Sequence, residues 1–148
     1  MKEAYVSYEV AKLLKEKGFD WECNHYYMEN ISGDEHYLLP GSIMYGEDYN
    51  KRLQQDDLGI HINVSSGKIS APNQQMACRW LREEHNIHIM PTIGCDVDRT
   101  PRIFYGAVIV SFNKNGDICY HNPLDENYYN EPEDAVEAAL EYVLKNLI

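Results

Sequence analysis

The sequence predicts an α+β protein, and three observations carry that expectation. Helical and strand-like periodicities are interleaved without a regular strand–helix alternation, the three clearest strand segments follow one another as a meander, and a long amphipathic stripe closes the chain. The expected architecture is a single α+β domain over 1–148, a mainly antiparallel sheet packed with about three helices, with a loop-rich excursion at about 29–58. A chain of 148 residues is too short for two independent cores joined by a linker. At this size folding buries roughly 68–70% of the unfolded surface, so neither disulfide nor metal is needed for stability and no cofactor is implied.

The elements follow in order. Ser7 can cap a helix over about Tyr8–Lys17, with Val10, Leu13 and Leu14 as its apolar stripe and Gly18 as its left-handed stop. Trp21 to Met28 is rich in aromatic residues and reads as a strand. The excursion is broken by Gly33, Pro40, Gly41 and Gly46 and by paired acids, and either runs over the surface or hides a short strand near Tyr37–Leu39. Ile60, Ile62 and Val64 alternate with His61 and Asn63, the period of a half-buried strand. Ser70-Ala71-Pro72-Asn73 then opens a second helix with Met76, Ala77, Trp80 and Leu81 on its apolar face, ending near His85-Asn86.

Three strands follow, over 87–93, 103–112 and 117–121, the last two joined by the tight turn Asn113-Lys114-Asn115-Gly116. The middle strand is apolar on both sides, which predicts a central strand covered on both faces. Asn130-Glu131-Pro132-Glu133 forms the start of the last helix, with Asn130 as its cap and Ala135, Val136, Ala139, Leu140, Val143, Leu144 and Leu147 as its stripe.

Composition narrows the function classes. With 24 acidic against 13 basic residues the formal charge is −11, which repels a phosphate backbone or anionic lipid and argues against nucleic acid and membrane surfaces as partners. The acidity is uneven: residues 1–30 carry −2, 31–60 carry −4, 61–112 carry +1 and 113–148 carry −6. The exclusion of nucleic acid is thus weakest around Arg79, Arg82, Arg99 and Arg102. Acidic flanks suit a basic protein partner, or mimicry of nucleic acid, and also serve plain solubility. No apolar run reaches spanning length and no secretory leader opens the chain, so a cytoplasmic setting is expected. The dispersed cysteines Cys23, Cys78, Cys95 and Cys119 are then expected to be reduced thiols.

Candidate chemistry is sparse. His85-x-x-His88 has metal-like spacing but straddles a helix end, with no third ligand near in sequence. Cys119 and His121 leave the same face of a strand, the minimum for a thiolate–imidazole nucleophile. Asp96 and Asp98 could share a divalent cation, or equally pair with Arg99 and Arg102. Phosphate-cradling glycine loops, G-x-S-x-G and H-E-x-x-H motifs are lacking. Tyrosine is in excess, at 12 against 3 Phe and 2 Trp. In extended backbone the pairs Tyr26-Tyr27 and Tyr128-Tyr129 place at least one ring each on a surface, so Tyr26, Tyr27, Tyr128 and Tyr129 are the candidate binding residues.

Three stretches carry a resemblance: 5–19 (YVSYEVAKLLKEKGF), Ser70-Ala71-Pro72 with 79–89 (RWLREEHNIHI), and 133–140 (EDAVEAAL). Together they resemble a family of small uncharacterised proteins of Bacteroides-group gut bacteria and their phages. The resemblance implies a phage or mobile-element origin and a cytoplasmic setting, and supplies no active site. The expectation is therefore a non-enzymatic accessory protein acting on an unknown protein partner; the alternative is a small metal-dependent or Cys/His enzyme using His85, His88, Cys119 and His121. Oligomeric state is left open by the sequence.

Overall fold

The computed structural model describes residues 3–29, 35–41, 46, 48–50, 68–96, 102–113, 115–121 and 128–148. Among the described residues are three helices and two three-stranded antiparallel sheets, an α+β protein whose strands form two sheets where the sequence suggested one. The chain gathers into two compact units, Ser7–Pro72 on the one hand and Met1–Val6 with Asn73–Ile148 on the other.

The first unit holds α1 (Tyr8–Glu16), β1 (His25–Glu29), β2 (His36–Pro40) and β3 (Lys68–Ser70). The α1 cap is Ser7, whose Oγ accepts the Val10 N–H at 3.3 Å, and Gly18 at φ +88° turns the chain out so that the Phe19 N–H reaches the Leu14 carbonyl. Val10, Ala11, Leu14 and Phe19 are buried along this face. Strand β1 begins at His25 and not at Trp21; its register with β2 runs from His25–Pro40 to Glu29–His36, and the Gly41 N–H donating to the Asn24 carbonyl continues the pairing just before it. Strand β2 is the short strand suspected inside the excursion. The alternation at 60–64 lies outside the described residues. At three residues, β3 is too short to have a period, and the sheet order is β2-β1-β3.

In this sheet Tyr27, Leu38 and Ile69 share the α1 side, where the Tyr8 ring stacks on His36 at 4.1 Å and meets Tyr27 edge-on at 5.6 Å. On the opposite side Tyr49 lies against Tyr26 at 4.7 Å, and its N–H donates to Ser70 Oγ at 2.9 Å. A side chain at position 41 would place its Cβ 1.9 Å from the Tyr49 hydroxyl, so the close approach requires Gly41.

The second unit holds α2 (Gln74–His85), β4 (Ile87–Asp96), β5 (Arg102–Phe112), β6 (Ile118–His121) and α3 (Pro132–Asn146). Helix α2 starts later than the sequence reading puts it. Ser70 ends β3, Pro72 precedes the cap, and Asn73 is the cap itself, its side chain accepting the Met76 N–H at 2.8 Å. The helix stops at Asn86, which takes the left-handed conformation at φ +55°. Helix α3 starts at Pro132 and is capped by Glu131 without a side-chain bond, not by Asn130, whose Oδ1 accepts from Arg102 Nη2 at 2.7 Å.

Strands β4, β5 and β6 form the expected meander in the order β4-β5-β6. The β5–β6 turn is organised by Asn113, whose Oδ1 accepts the N–H groups of Asn115 and Asp117, both at 2.9 Å, while Gly116 adopts φ +84°. Register places Ile87, Ile89 and Pro91 beside Ser111, Ile109 and Ala107 on one face, and His88, Met90 and Thr92 beside Val110, Val108 and Gly106 on the other. Helices α2 and α3 pack on the first face, where Ile87, Ala107 and Ile109 are buried against a helix layer that includes Trp80, Leu81, Ala139 and Leu140. The second face departs from the expectation for a strand covered on both sides: Met90, Phe112, Ile118 and Tyr120 on it are exposed.

Candidate functional site

The uncovered face of the β4–β5–β6 sheet is the most distinctive surface of the second unit. It arises because β5 is apolar at both even and odd positions while the helix layer closes only the odd one. Met90 is 47% exposed, Phe112 42%, Ile118 53% and Tyr120 73%. Val110, between His88 and Tyr120 in register, is buried in the middle of the face. The His88 ring meets Phe112 edge-on at 5.6 Å, which fixes two of the bulkier groups against each other.

Tyr128 belongs to the same surface. Tyr129 extends the sheet by a bridge to β5, with the Tyr105 N–H donating to the Tyr129 carbonyl at 2.9 Å and the return bond at 3.0 Å. The preceding residue, Tyr128, thereby sets its ring 4.1 Å from that of Phe104 and stays 65% exposed. Phe104 in turn lies across Gly94, where an added Cβ would fall 2.1 Å from the ring. The glycine is what lets the Phe104 ring approach the sheet this closely.

The four tyrosines singled out by sequence are thus divided. Tyr128 is on the uncovered face, and Tyr129 is half-buried beside it. Tyr26 and Tyr27 are in the first unit, and Tyr27 is a correction to the sequence reading: its ring is buried against Tyr8 and His36, so it offers no surface to a partner. Tyr26 is half-buried under Tyr49, with Lys68 Nζ 4.7 Å above its ring. Sequence reasoning missed Tyr120, Phe112, Met90 and Ile118. The pattern shows which side of a strand a residue takes, but not whether a helix stands opposite.

The histidine and cysteine candidates are dispersed into packing roles. His85 packs edge-on against Trp80 at 4.7 Å and His88 against Phe112, so each imidazole of the pair has its own aromatic neighbour. Among the described residues no group of three or more His, Cys, Asp or Glu is placed to hold a metal ion. Residues 97 and 98 of the Asp96–Asp98 pair lie outside the described residues. His121 Nε2 shares a hydrogen bond with Ser111 Oγ at 2.9 Å, and no described group orients its second ring nitrogen. A nucleophile–base pair needs such an orienting group, and Cys119, opposite Ser111 in register, has no bond to the imidazole.

A cleft of about 570 Å³ opens within the second unit, walled by the N-terminal segment, α2, β4 and the start of α3. Its size suits a small ligand, and three of its polar side chains, Glu3, Asn73 and Gln74, are held in hydrogen bonds. The Gln74 Nε2 donates to the Glu133 carbonyl at 3.0 Å and to Glu137 Oε2 at 2.9 Å; Glu3 accepts from both Tyr5 and Asn73. Burial, then the bond to Glu3, pushes the Tyr5 phenol up to about 12. Cys78 also lines the cleft, and burial raises its thiol to about 11 against the lowering influence of Arg82, so it is protonated near neutrality. The polar set knits the N-terminal segment to both helices.

Comparison of the chain with family models, with curated proteins and with solved structures gives no match.

Proposed function

We propose that this protein is a non-enzymatic accessory protein, of a phage or mobile element, that acts by binding protein through the uncovered face of its β4–β5–β6 sheet. One observation carries the reading: Met90, Phe112, Ile118, Tyr120 and Tyr128 are large aromatic and aliphatic side chains left exposed on one side of the sheet, beside a well-filled core. A monomer rarely exposes apolar patches of more than a few hundred Å², and tyrosine with phenylalanine and methionine is the composition enriched where proteins meet. The chemistry-bearing residues give no comparable convergence.

The test is affinity capture by the immobilised chain from a lysate of cells that express it. The wild type and Tyr37→Lys, which alters an exposed tyrosine of the first unit, should retain one defined polypeptide that Tyr120→Lys loses. Equal retention by all three, or none by any, removes the reading. The alternative of a metal-dependent or Cys/His enzyme is answered by metal analysis of untagged protein, where stoichiometric zinc, iron or manganese would restore it.

A further inference from the structure

Resting on that reading, we infer that the occupant of the uncovered sheet face is a second copy of this chain, docked face to face through the same strands. Charge favours a second copy. The centre of this face is free of charge: from His88 to Gly94 on β4, from Phe104 to Phe112 on β5, and at Ile118 and Tyr120 on β6 no Asp, Glu, Lys or Arg is present, and the exposed Arg102 stands at the end of the face, beyond Phe104. A two-fold contact brings a patch against itself, so any charge near its centre meets its own sign; a charge-free face is self-complementary in this respect. A partner chosen by the acidity of the molecule would find nothing to pair with on this surface.

The exposed area sets the strength of such a contact. Taking ~200 Å² for each large side chain, the five exposed residues leave on the order of 560 Å² open per copy, against the roughly 800 Å² per partner of a standard interface. The half-exposed His88, Phe104 and Val108 lie within the same outline and supply part of the difference. The footprint therefore suits a dimer of modest affinity in fast exchange. Two antiparallel sheets stacked about 10 Å apart bring the inner side chains of both into contact, the arrangement of a sandwich core.

Salt bears on such a contact too. Each copy carries a net charge of −11, so the copies repel at long range while their contact surface is neutral. Added salt screens that repulsion and should tighten the dimer several-fold, whereas a complex held by a basic partner would weaken.

Sedimentation velocity on the full chain, from about 1 to about 200 µM protein and at low and high sodium chloride, tests the proposal. The expected result is a monomer–dimer equilibrium that shifts toward dimer as salt rises. Tyr120→Lys and Ile118→Lys should sediment as monomers throughout, with unchanged circular dichroism and melting. Ile93→Lys, which alters a 72% exposed residue of the opposite face, should leave the dimer intact. A wild type monomeric under all conditions overturns the second copy as occupant, as does a dimer that survives both Lys substitutions or is lost with Ile93→Lys. If that monomer still captures a polypeptide through Tyr120, the protein-binding function stands without the self-association; if it captures none, both fall.

Discussion

The two faces of the β4–β5–β6 sheet have nearly the same sequence character and differ most near the middle of β5; toward the other end of the sheet Ile93 and Ile103 of the helix-covered face are themselves exposed. Ile87, Ala107 and Ile109 on one are sealed by α2 and α3, while Met90, Phe112, Ile118 and Tyr120 on the other stand open. The difference teaches that hydrophobicity along a strand sets how much a face can bury, and that the helices available decide which face does so. The chain spends its two helices in this unit on one side. What the other side keeps is exposed apolar surface.

Thiol chemistry sharpens the contrast most. Cys78, on the helix layer, has a thiol pushed up to about 11, and Cys23 in the first unit to about 12, each chiefly by burial. At pH 8 their thiolate fractions fall about 100-fold and about 1000-fold below that of a free cysteine. Timed alkylation with peptide mapping should therefore label the exposed Cys95 and Cys119 first, then Cys78, and Cys23 only on unfolding. Because both folded values lie above the unfolded thiol value of 9, their stabilising contribution is complete below pH 9 and is lost as pH rises toward 11 and 12. The urea midpoint should decline over that window, and more shallowly in Cys78→Ala.

Substitution in the covered face comes next. Ile109→Ala, which empties a fully buried site between sheet and helices, should cost about 3 kcal/mol in urea unfolding. On the open face, Gly94→Ala should cost about 1 kcal/mol, since the new Cβ displaces the Phe104 ring and with it Tyr128. Loss of near-ultraviolet dichroism from Tyr128 would accompany it. The smallest effect belongs to Ile118→Lys, expected within about 0.5 kcal/mol for the monomer. A loss as large as that of Ile109→Ala would mean that this face is not open at all.

Much of the fold was legible from local signals. Ser7, Gly18, Asn86 and the Asn113–Gly116 turn each impose their conformation through their own side chain or lack of one, so α1, the end of α2 and the β5–β6 hairpin are readable without the rest of the chain. What failed depended on distant partners. Strand β1 is bounded by its pairing with β2 and β3, and the Asn130 oxygen accepts from Arg102, 28 residues away, and not from a helix N–H. The candidate surface was half legible: Tyr128 was visible as part of an aromatic pair, whereas Tyr120 and Phe112 gained meaning only from the absence of a helix above them. The cleft, assembled from four separate segments, left no local trace.

Pro91 decides what kind of assembly such a molecule can form. The Phe112 N–H donates to the Asn86 carbonyl, which makes the even-numbered positions of β4 the ones bonded to β5 and turns the nitrogen of Pro91, opposite Ala107, toward the outer margin of the strand. There, near the middle of a ten-residue margin strand, the row of hydrogen-bond donors has a gap. An incoming strand would lose a bond at the centre of its pairing, so lateral growth of the sheet into fibres is interrupted at its longest free side. A pairing through the flat of the sheet, as proposed above, is by contrast complete after two molecules and does not propagate.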